Sequence, residues 1–412
     1  MIPFLTRAPL GAIAAQFGTP FYLYDAPAMV ANARELRAAL PGSVDLLYCV
    51  KANANRAVIE LLGRETQGLD VSSGGELAFV TSLGFPGENI SFAGPGKRPE
   101  ELRLAVRAGC SISVESPLEL ARIVDVAREE GRRARIAVRV NPSQTSKAFA
   151  MRMGGHASAF GVPEEDMLAV VRRALDAPEV EVAGLHVFAG TQCLEPAALA
   201  ENARQTLELA AHMMAETGAA LTHVNLGGGL GVPYFAGQPD LTPSEAGKAL
   251  TPVLEAVRLQ DARFSSMRFV LELGRFLTGR FGIYVARVLD VKETRGKRIV
   301  VLDGGMNHVF PATGNFGQLV KKNYPIVNLT RDGDATPQEV VGPLCTPIDS
   351  LARELAIPTP EVGDLIGFLH VGAYSFAASP LLFLGHPTPP ELLWDGTDTR
   401  LVRRSFTMDH FA

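Results

Sequence analysis

Leu46-Leu47-Tyr48-Cys49-Val50-Lys51-Ala52-Asn53 is a short apolar run that ends on a lysine. Leu46, Leu47, Tyr48 and Val50 are strand formers, and Ala52-Asn53-Ala54-Asn55 reads as the exit of that strand before the helix-like pattern of Val58 to Leu62. Lys51 therefore stands where a buried strand opens. A lysine is seldom buried without a partner. That partner is an acid or a covalent one such as an aldehyde; the plainer alternative is a strand-end lysine with its ammonium in water.

Outward from this run, the same unit repeats. Strands are expected at 68–71, 89–92, 111–114, 135–140, 182–187, 221–226 and 268–272. Amphipathic helices are expected between them at 54–64, 73–83, 100–108, 117–130, 164–175, 196–217 and 244–259. Eight parallel strands with helical crossovers close into a (β/α)8 barrel, which leaves no strand edge exposed, so the barrel is favoured over an open doubly wound sheet. Chemistry in such a barrel gathers where the strands end. Lys51, Asp70, Ser91, Glu115, Arg139, His186, Asn225 and Glu272 are thereby expected at or near one rim.

Past about residue 280 the chain changes to short strand-like pieces at 283–288, 298–303, 326–329, 364–368 and 392–404, divided by Gly, Pro and Asp turns. This predicts a second, all-β domain. Phe21 to Tyr24 reads as a strand with no place in the barrel, after a weak helix around Leu10 to Phe17. The expected division is a barrel over 26–275 and a β domain built from 1–25 plus 276–412. Two domains also suit a chain of 412 residues, since a single core usually stops growing at roughly 250 to 300.

Composition narrows the function. Hydrophobic residues at 47% supply material for large cores, and a net charge of -5 offers no basic field for nucleic acid. The cysteines at 49, 110, 193 and 345 are too scattered for a disulfide framework or a zinc knuckle, and no metal site is expected. No leader pattern and no run of about 18 apolar residues appears, so a soluble, cytoplasmic protein without membrane contact is expected.

Gly227-Gly228-Gly229-Leu230-Gly231 directly follows the seventh strand. Such a loop suits a backbone nest for phosphate oxygens, at the position where barrels of this kind commonly bind phosphate. A flexible turn is the alternative. The loop lacks a Gly-Lys-Ser/Thr ending, which disfavours a nucleoside triphosphate. Glu272 needs a cation, a metal or a protonated ring nitrogen to justify burial, and Arg275, three residues on, is the simplest such partner. His186 offers a flat ring at the same rim, or else a core histidine bonded to a backbone carbonyl. A phosphate, a basic ring nitrogen and an electrophile for lysine together describe pyridoxal 5'-phosphate.

On these residues the chain resembles the fold type III pyridoxal-phosphate decarboxylases, which include diaminopimelate and ornithine decarboxylases. The resemblance rests on Tyr48-Cys49-Val50-Lys51-Ala52-Asn53, Asp70-Val71-Ser72-Ser73-Gly74-Gly75-Glu76-Leu77, His186 to Gln192, Gly227 to Gly231, and Glu272-Leu273-Gly274-Arg275. Gly342-Pro343-Leu344-Cys345 and Gly372-Ala373-Tyr374 extend it into the β domain. It implies an alanine racemase-like barrel with a C-terminal β domain. It further implies that Lys51 attaches to the cofactor's aldehyde, His186 stacks on the ring and Glu272 holds the ring nitrogen protonated. Asp70, Gly228, Gly229, Gly231, Gly274, Arg275 and Tyr374 complete the implied cofactor contacts. A homodimer with shared sites is implied as well, Cys345 coming from the partner chain as proton donor.

The departures concern the substrate. The diaminopimelate decarboxylases place a glutamate after the cysteine, and this chain has Thr346, followed by Pro347, Ile348 and Asp349. The arginine and tyrosine that follow Asp-Gly-Gly-Met in the family are missing, and Asp303-Gly304-Gly305-Met306 leads to His308 and Asn315 instead. The His186 to Gln192 loop is one residue longer than the family's. These changes resemble a subgroup that includes the decarboxylase of a carrier-linked glutamyl group in aminoglycoside biosynthesis. The expectation is decarboxylation of an amino acid or carrier-tethered aminoacyl group without a distal ammonium, with Arg275 and Tyr374 among its contacts and His308, Asn315, Thr346 and Asp349 lining its distal end. Alternatives are a decarboxylase of diaminopimelate or another free amino acid, a racemase on the same cofactor, and a silent carrier-protein-binding homologue.

Overall fold

Strand-forming runs buried on both faces read as near-continuous apolar stretches. In the computed structural model, which describes residues 8–235, 237–314 and 322–411, eight of them form one parallel barrel. They are Val44–Cys49, Gly68–Val71, Ile90–Phe92, Ser111–Val114, Ala134–Asn141, Val180–Val187, His223–Gly228 and Arg268–Leu273. Each pairs with the next, and the eighth returns to the first through Glu272↔Leu47 and Leu273↔Tyr48. Closure is therefore complete, and the helices lie between consecutive strands as the sequence predicts.

Local chemistry fixes several of those helices. Ser116 accepts a hydrogen bond from the Glu119 N–H at the head of Pro117–Glu130, and Gly131 ends it in the left-handed conformation. Thr242 and Glu245 form a reciprocal capping box at the head of Pro243–Gln260.

The hub of the β domain is the 13-residue strand Gly282–Thr294. It pairs antiparallel with Phe21–Asp25, Lys297–Leu302 and Leu365–Leu369. Phe21–Asp25 also runs parallel to Glu391–Trp394, so this N-terminal strand belongs to the β sheet. Its alternation serves two cores: Tyr22 and Tyr24 face the main one, Phe21 and Leu23 a smaller one shared with Ile283, Leu392, Trp394 and helix Leu10–Phe17. Two antiparallel strands, Ala335–Val341 and Ser350–Pro358, were not legible in the sequence. Pro337 argues against a strand, and register shifts at Gln338/Val340 and Val340/Val341 break the period-two pattern. Among the described residues no helix is long and apolar enough to cross a membrane.

Candidate active site

The first barrel strand ends in a short turn, Val50–Ala52, which carries Lys51. Its ammonium lies 3.0 Å from Asp70 Oδ2 at the end of the second strand and 3.1 Å from Ser72 Oγ. Across the barrel, Glu272 Oε1 accepts from Asn225 Nδ2 at 2.6 Å, with Ser91 Oγ at 3.4 Å. Glu272 Oε2 lies 3.4 Å from His186 Nε2, and His186 Nδ1 is 2.9 Å from Ser113 Oγ. Six of the eight rim residues thus converge as two linked groups. The other two, Arg139 and Glu115, pair at 3.0 Å beside them.

Arg275 does not pair with Glu272. Its Nη1 donates to Tyr234 Oη at 2.9 Å, and its guanidinium packs 4.7 Å from the Tyr374 ring and 5.5 Å from the Tyr234 ring. No carboxylate among the described residues forms an ion pair with it, so the simple Glu272–Arg275 bridge is replaced by an aromatic clamp. A half-buried guanidinium held this way keeps its charge for an anion. Tyr374 adopts φ 53°, and its N–H donates to Ala52 O at 2.8 Å, which ties it to the Lys51 turn.

A cavity of about 380 Å³ lies over these groups. Lys51, Ser72, Arg139, His186, Glu272, Arg275 and Tyr374 supply its polar lining, and Met151, Met153, Phe160 and Phe188 an apolar wall. Asp70 Oδ1, His186 Nε2 and Arg275 Nε are buried without a hydrogen-bond partner among the described residues. The 3.4 Å approach of His186 Nε2 to Glu272 Oε2 is a close contact and not a directed hydrogen bond. Unsatisfied buried polar atoms in native folds call for a ligand or water.

The two carboxylates differ electrostatically. Burial alone would raise Glu272, but the neighbouring His186, Lys51 and Asn225 outweigh it and bring it from the usual 4.5 down to about 2. Asp70 moves the other way: burial and the nearby Glu272 charge outweigh Lys51 and raise it. For Lys51, burial opposes the charged form, and Asp70 with Cys49, Tyr374 and Glu272 more than offsets it, so the ammonium is favoured.

The glycine loop has a steric reason for its composition. A Cβ on Gly228 would sit 1.8 Å from Glu272 O, and one on Gly229, where φ is 91°, would sit 2.7 Å from Phe149 Cε1. A Cβ on Gly231 would stand 2.9 Å from Cys193 O, and one on Gly274 would stand 2.7 Å from Ala52 Cβ. These glycines let neighbouring backbone and side chains approach more closely at the rim than a Cβ would allow.

The substrate-side expectation requires correction for two residues. His308 is buried in the β domain, with Nδ1 3.1 Å from Tyr284 Oη and Nε2 3.0 Å from Pro387 O. Asp349 is likewise buried, accepting from Met306 N at 2.7 Å and Leu344 N at 2.9 Å. Both side chains are spent on holding the β domain together and neither lines the cavity. Cys345 is exposed, Thr346 is half-buried, and neither lines this chain's own cavity. Asn315 lies outside the described residues. Conversely, sequence reasoning missed Ser72, Ser113, Tyr234 and the Met151–Phe160 wall. Ser113 was within reach, since it alternates with Ile112 and Val114 near the end of a barrel strand; the wall comes from a loop with no periodic signal.

Residues 28–279 match the model of the pyridoxal-dependent decarboxylases, pyridoxal binding domain. The chain belongs to this family. It is 36% identical over 411 residues to the L-glutamyl-[BtrI acyl-carrier protein] decarboxylase of Niallia circulans, covering 98% of this chain and 95% of that protein. It is 31% identical over 379 residues to the 2-[(L-alanin-3-ylcarbamoyl)methyl]-2-hydroxybutanedioate decarboxylase of Staphylococcus aureus, covering 89% and 92%. The crystal structure of diaminopimelate decarboxylase from Helicobacter pylori complexed with L-lysine superposes with TM-score 0.88 at 26% identity, over 97% of this chain and 98% of that one. This pyridoxal-dependent decarboxylase, a lyase, thus has a rim whose chemistry fits pyridoxal 5'-phosphate: an amine for the aldehyde, a carboxylate held ionised for a ring nitrogen, and a half-buried guanidinium with no carboxylate partner among the described residues for the phosphate.

Proposed function

We propose that this decarboxylase removes the α-carboxyl group from an amino acid or aminoacyl group with no distal ammonium, and that a glutamyl group on an acyl carrier protein is its substrate. The lining of the cavity carries this reading. Among the described residues of this chain that line it, Glu272 is the only carboxylate, and it is taken up by Asn225 and His186. A second ammonium entering past Met151, Met153, Phe160 and Phe188 would meet no free carboxylate, and an unpaired buried charge costs several kcal/mol. The substrate named for the Niallia circulans relative is in keeping with this.

When bound, pyridoxal 5'-phosphate supplies an electron-accepting ring for the pair left by the departing carboxyl group. In our reading Lys51 holds the cofactor, its ammonium oriented by Asp70 Oδ2 until then. Glu272, whose ionised form is favoured here, would pair with a protonated ring nitrogen. His186, fixed by Ser113, would stack on the ring. Gly228, Gly229, Gly231, Gly274, Arg275 and Tyr374 would hold the phosphate. The barrel comprises 26–275, and 1–25 with 276–412 form the β domain. Cys345 stands outside this chain's cavity, so it serves as proton donor in the site of a second copy, in a cytoplasmic homodimer.

Carbon dioxide release from glutamate, a glutamyl-loaded carrier protein, diaminopimelate and ornithine tests the reading. The carrier-linked substrate is expected to turn over fastest. Preferred turnover of either diamino acid would overturn the substrate assignment, and racemised substrate without gas would overturn the reaction class.

A further inference from the structure

After Lys51 the chain runs through Ala52, Asn53, Ala54 and Asn55 before helix Arg56–Gly63 begins. The β domain grips every one of these four residues. Ala52 O accepts from Tyr374 N at 2.8 Å, and Asn53 Nδ2 donates to Gly372 O at 3.1 Å. Ala54 O accepts from Arg403 Nη2 at 3.3 Å, and Asn55 Nδ2 donates to Glu391 Oε2 at 3.0 Å. Glu391 is the centre of this clamp. It is 1% exposed, accepts from Tyr24 Oη at 2.5 Å through its other oxygen, and forms an ion pair with Arg403. A buried carboxylate is expensive unless fully partnered, and the partners of this one run directly to the turn that bears Lys51. Asn55 also caps the following helix by accepting from Ala57 N at 3.0 Å, so the turn is fixed at both ends.

We propose that Glu391 is a positioning residue for the decarboxylation: through Asn55 and through Arg403, whose guanidinium packs 4.9 Å from the Phe376 ring, it fixes the Lys51 turn of the barrel against the β-domain segment that carries Tyr374. Lys51 and Tyr374 line one cavity yet stand on different domains, and among the described residues the one backbone hydrogen bond between their segments is Tyr374 N to Ala52 O. Glu391 is the group that holds the two sides in register from behind. A displacement of about 1 Å at a reacting group can cost roughly a hundredfold in rate, so loosening this clamp acts on turnover more than on substrate binding.

The inference rests on Lys51 as the attachment point, and the test separates the two. Holoenzyme carrying Glu391→Gln, Glu391→Ala or Asn55→Ala is compared with wild type and with Leu392→Ala, which removes a core side chain on the same strand without touching the clamp. The readouts are the visible circular dichroism of bound cofactor, kcat and KM per cofactor bound, and Tm. Glu391→Ala and Asn55→Ala are expected to change the dichroic band and lower kcat about tenfold with KM changed less than about threefold, and Glu391→Gln, which keeps one hydrogen bond, to fall between. Leu392→Ala is expected to lower Tm alone. Should Glu391→Ala fold poorly, Glu391→Gln and Asn55→Ala decide. Clamp variants with a wild-type band and wild-type kcat, differing only in Tm, would overturn the proposal. Borohydride reduction of wild type that places the adduct on another lysine would instead overturn the reading of Lys51.

Discussion

At the barrel rim, Asp70, His186 and Arg275 each keep a buried polar atom unbonded beside the cavity, whereas in the β domain His308 and Asp349 spend their polar atoms on their own fold. Cys345 and Thr346 stand between these extremes, near the surface and away from the cavity of their own chain. The barrel half of the site is therefore preorganised within one chain. Of the β-domain residues Tyr374 lines this chain's own cavity, and our proposal is that Cys345 and Thr346 face a second copy.

Breaking the barrel half should have the largest effect. Lys51→Ala is expected to lower turnover by roughly three orders of magnitude or more, since it removes the covalent handle. Decarboxylation assays, with mass mapping of a borohydride-reduced sample, check this. Turnover near wild type would show that another group holds the cofactor.

Glu272→Gln keeps a hydrogen-bond acceptor for Asn225 and deletes the charge, so kcat should fall about a hundredfold or more while the cofactor stays bound. The same residue sets an acid limit. Its folded-state pKa of about 2 lies below the usual 4.5, so its contribution to stability is present above 4.5 and is lost as pH falls from there toward 2. Acid unfolding followed by far-ultraviolet circular dichroism should be less steep for Glu272→Gln across that window. An unchanged profile would mean that Glu272 does not titrate as its surroundings dictate.

The β-domain residues should respond on stability instead. Asp349→Asn replaces one of two acceptors for the Met306 and Leu344 N–H groups and is expected to cost about 1–3 kcal/mol of folding free energy, with kcat per folded enzyme retained. Denaturant unfolding alongside kinetics measures both. A selective loss of turnover would return Asp349 to the substrate side.

The sequence carries the barrel because closure demands eight strand-and-helix units, each announced by an apolar run. It carries Lys51, Asp70, His186 and Glu272 for the same reason, since strand ends meet at one rim. The aromatic clamp on Arg275 was hidden because Tyr234 and Tyr374 come from loops far apart in sequence. His308 and Asp349 were misplaced because a motif position says which residue differs from a family and not whether its side chain faces a cavity or a backbone N–H. The strands at 335–341 and 350–358 escaped notice because bulges erase the alternation that marks a strand.

Mixed dimers test most directly whether two chains build one site. Lys51→Ala and Cys345→Ala chains, each poorly active alone, are co-expressed and the doubly tagged heterodimer is purified. If Cys345 acts in the partner's cavity, each heterodimer holds one site with both groups intact, and turnover should recover to about half of wild type. Turnover no higher than the average of the two variant homodimers would contradict the shared site.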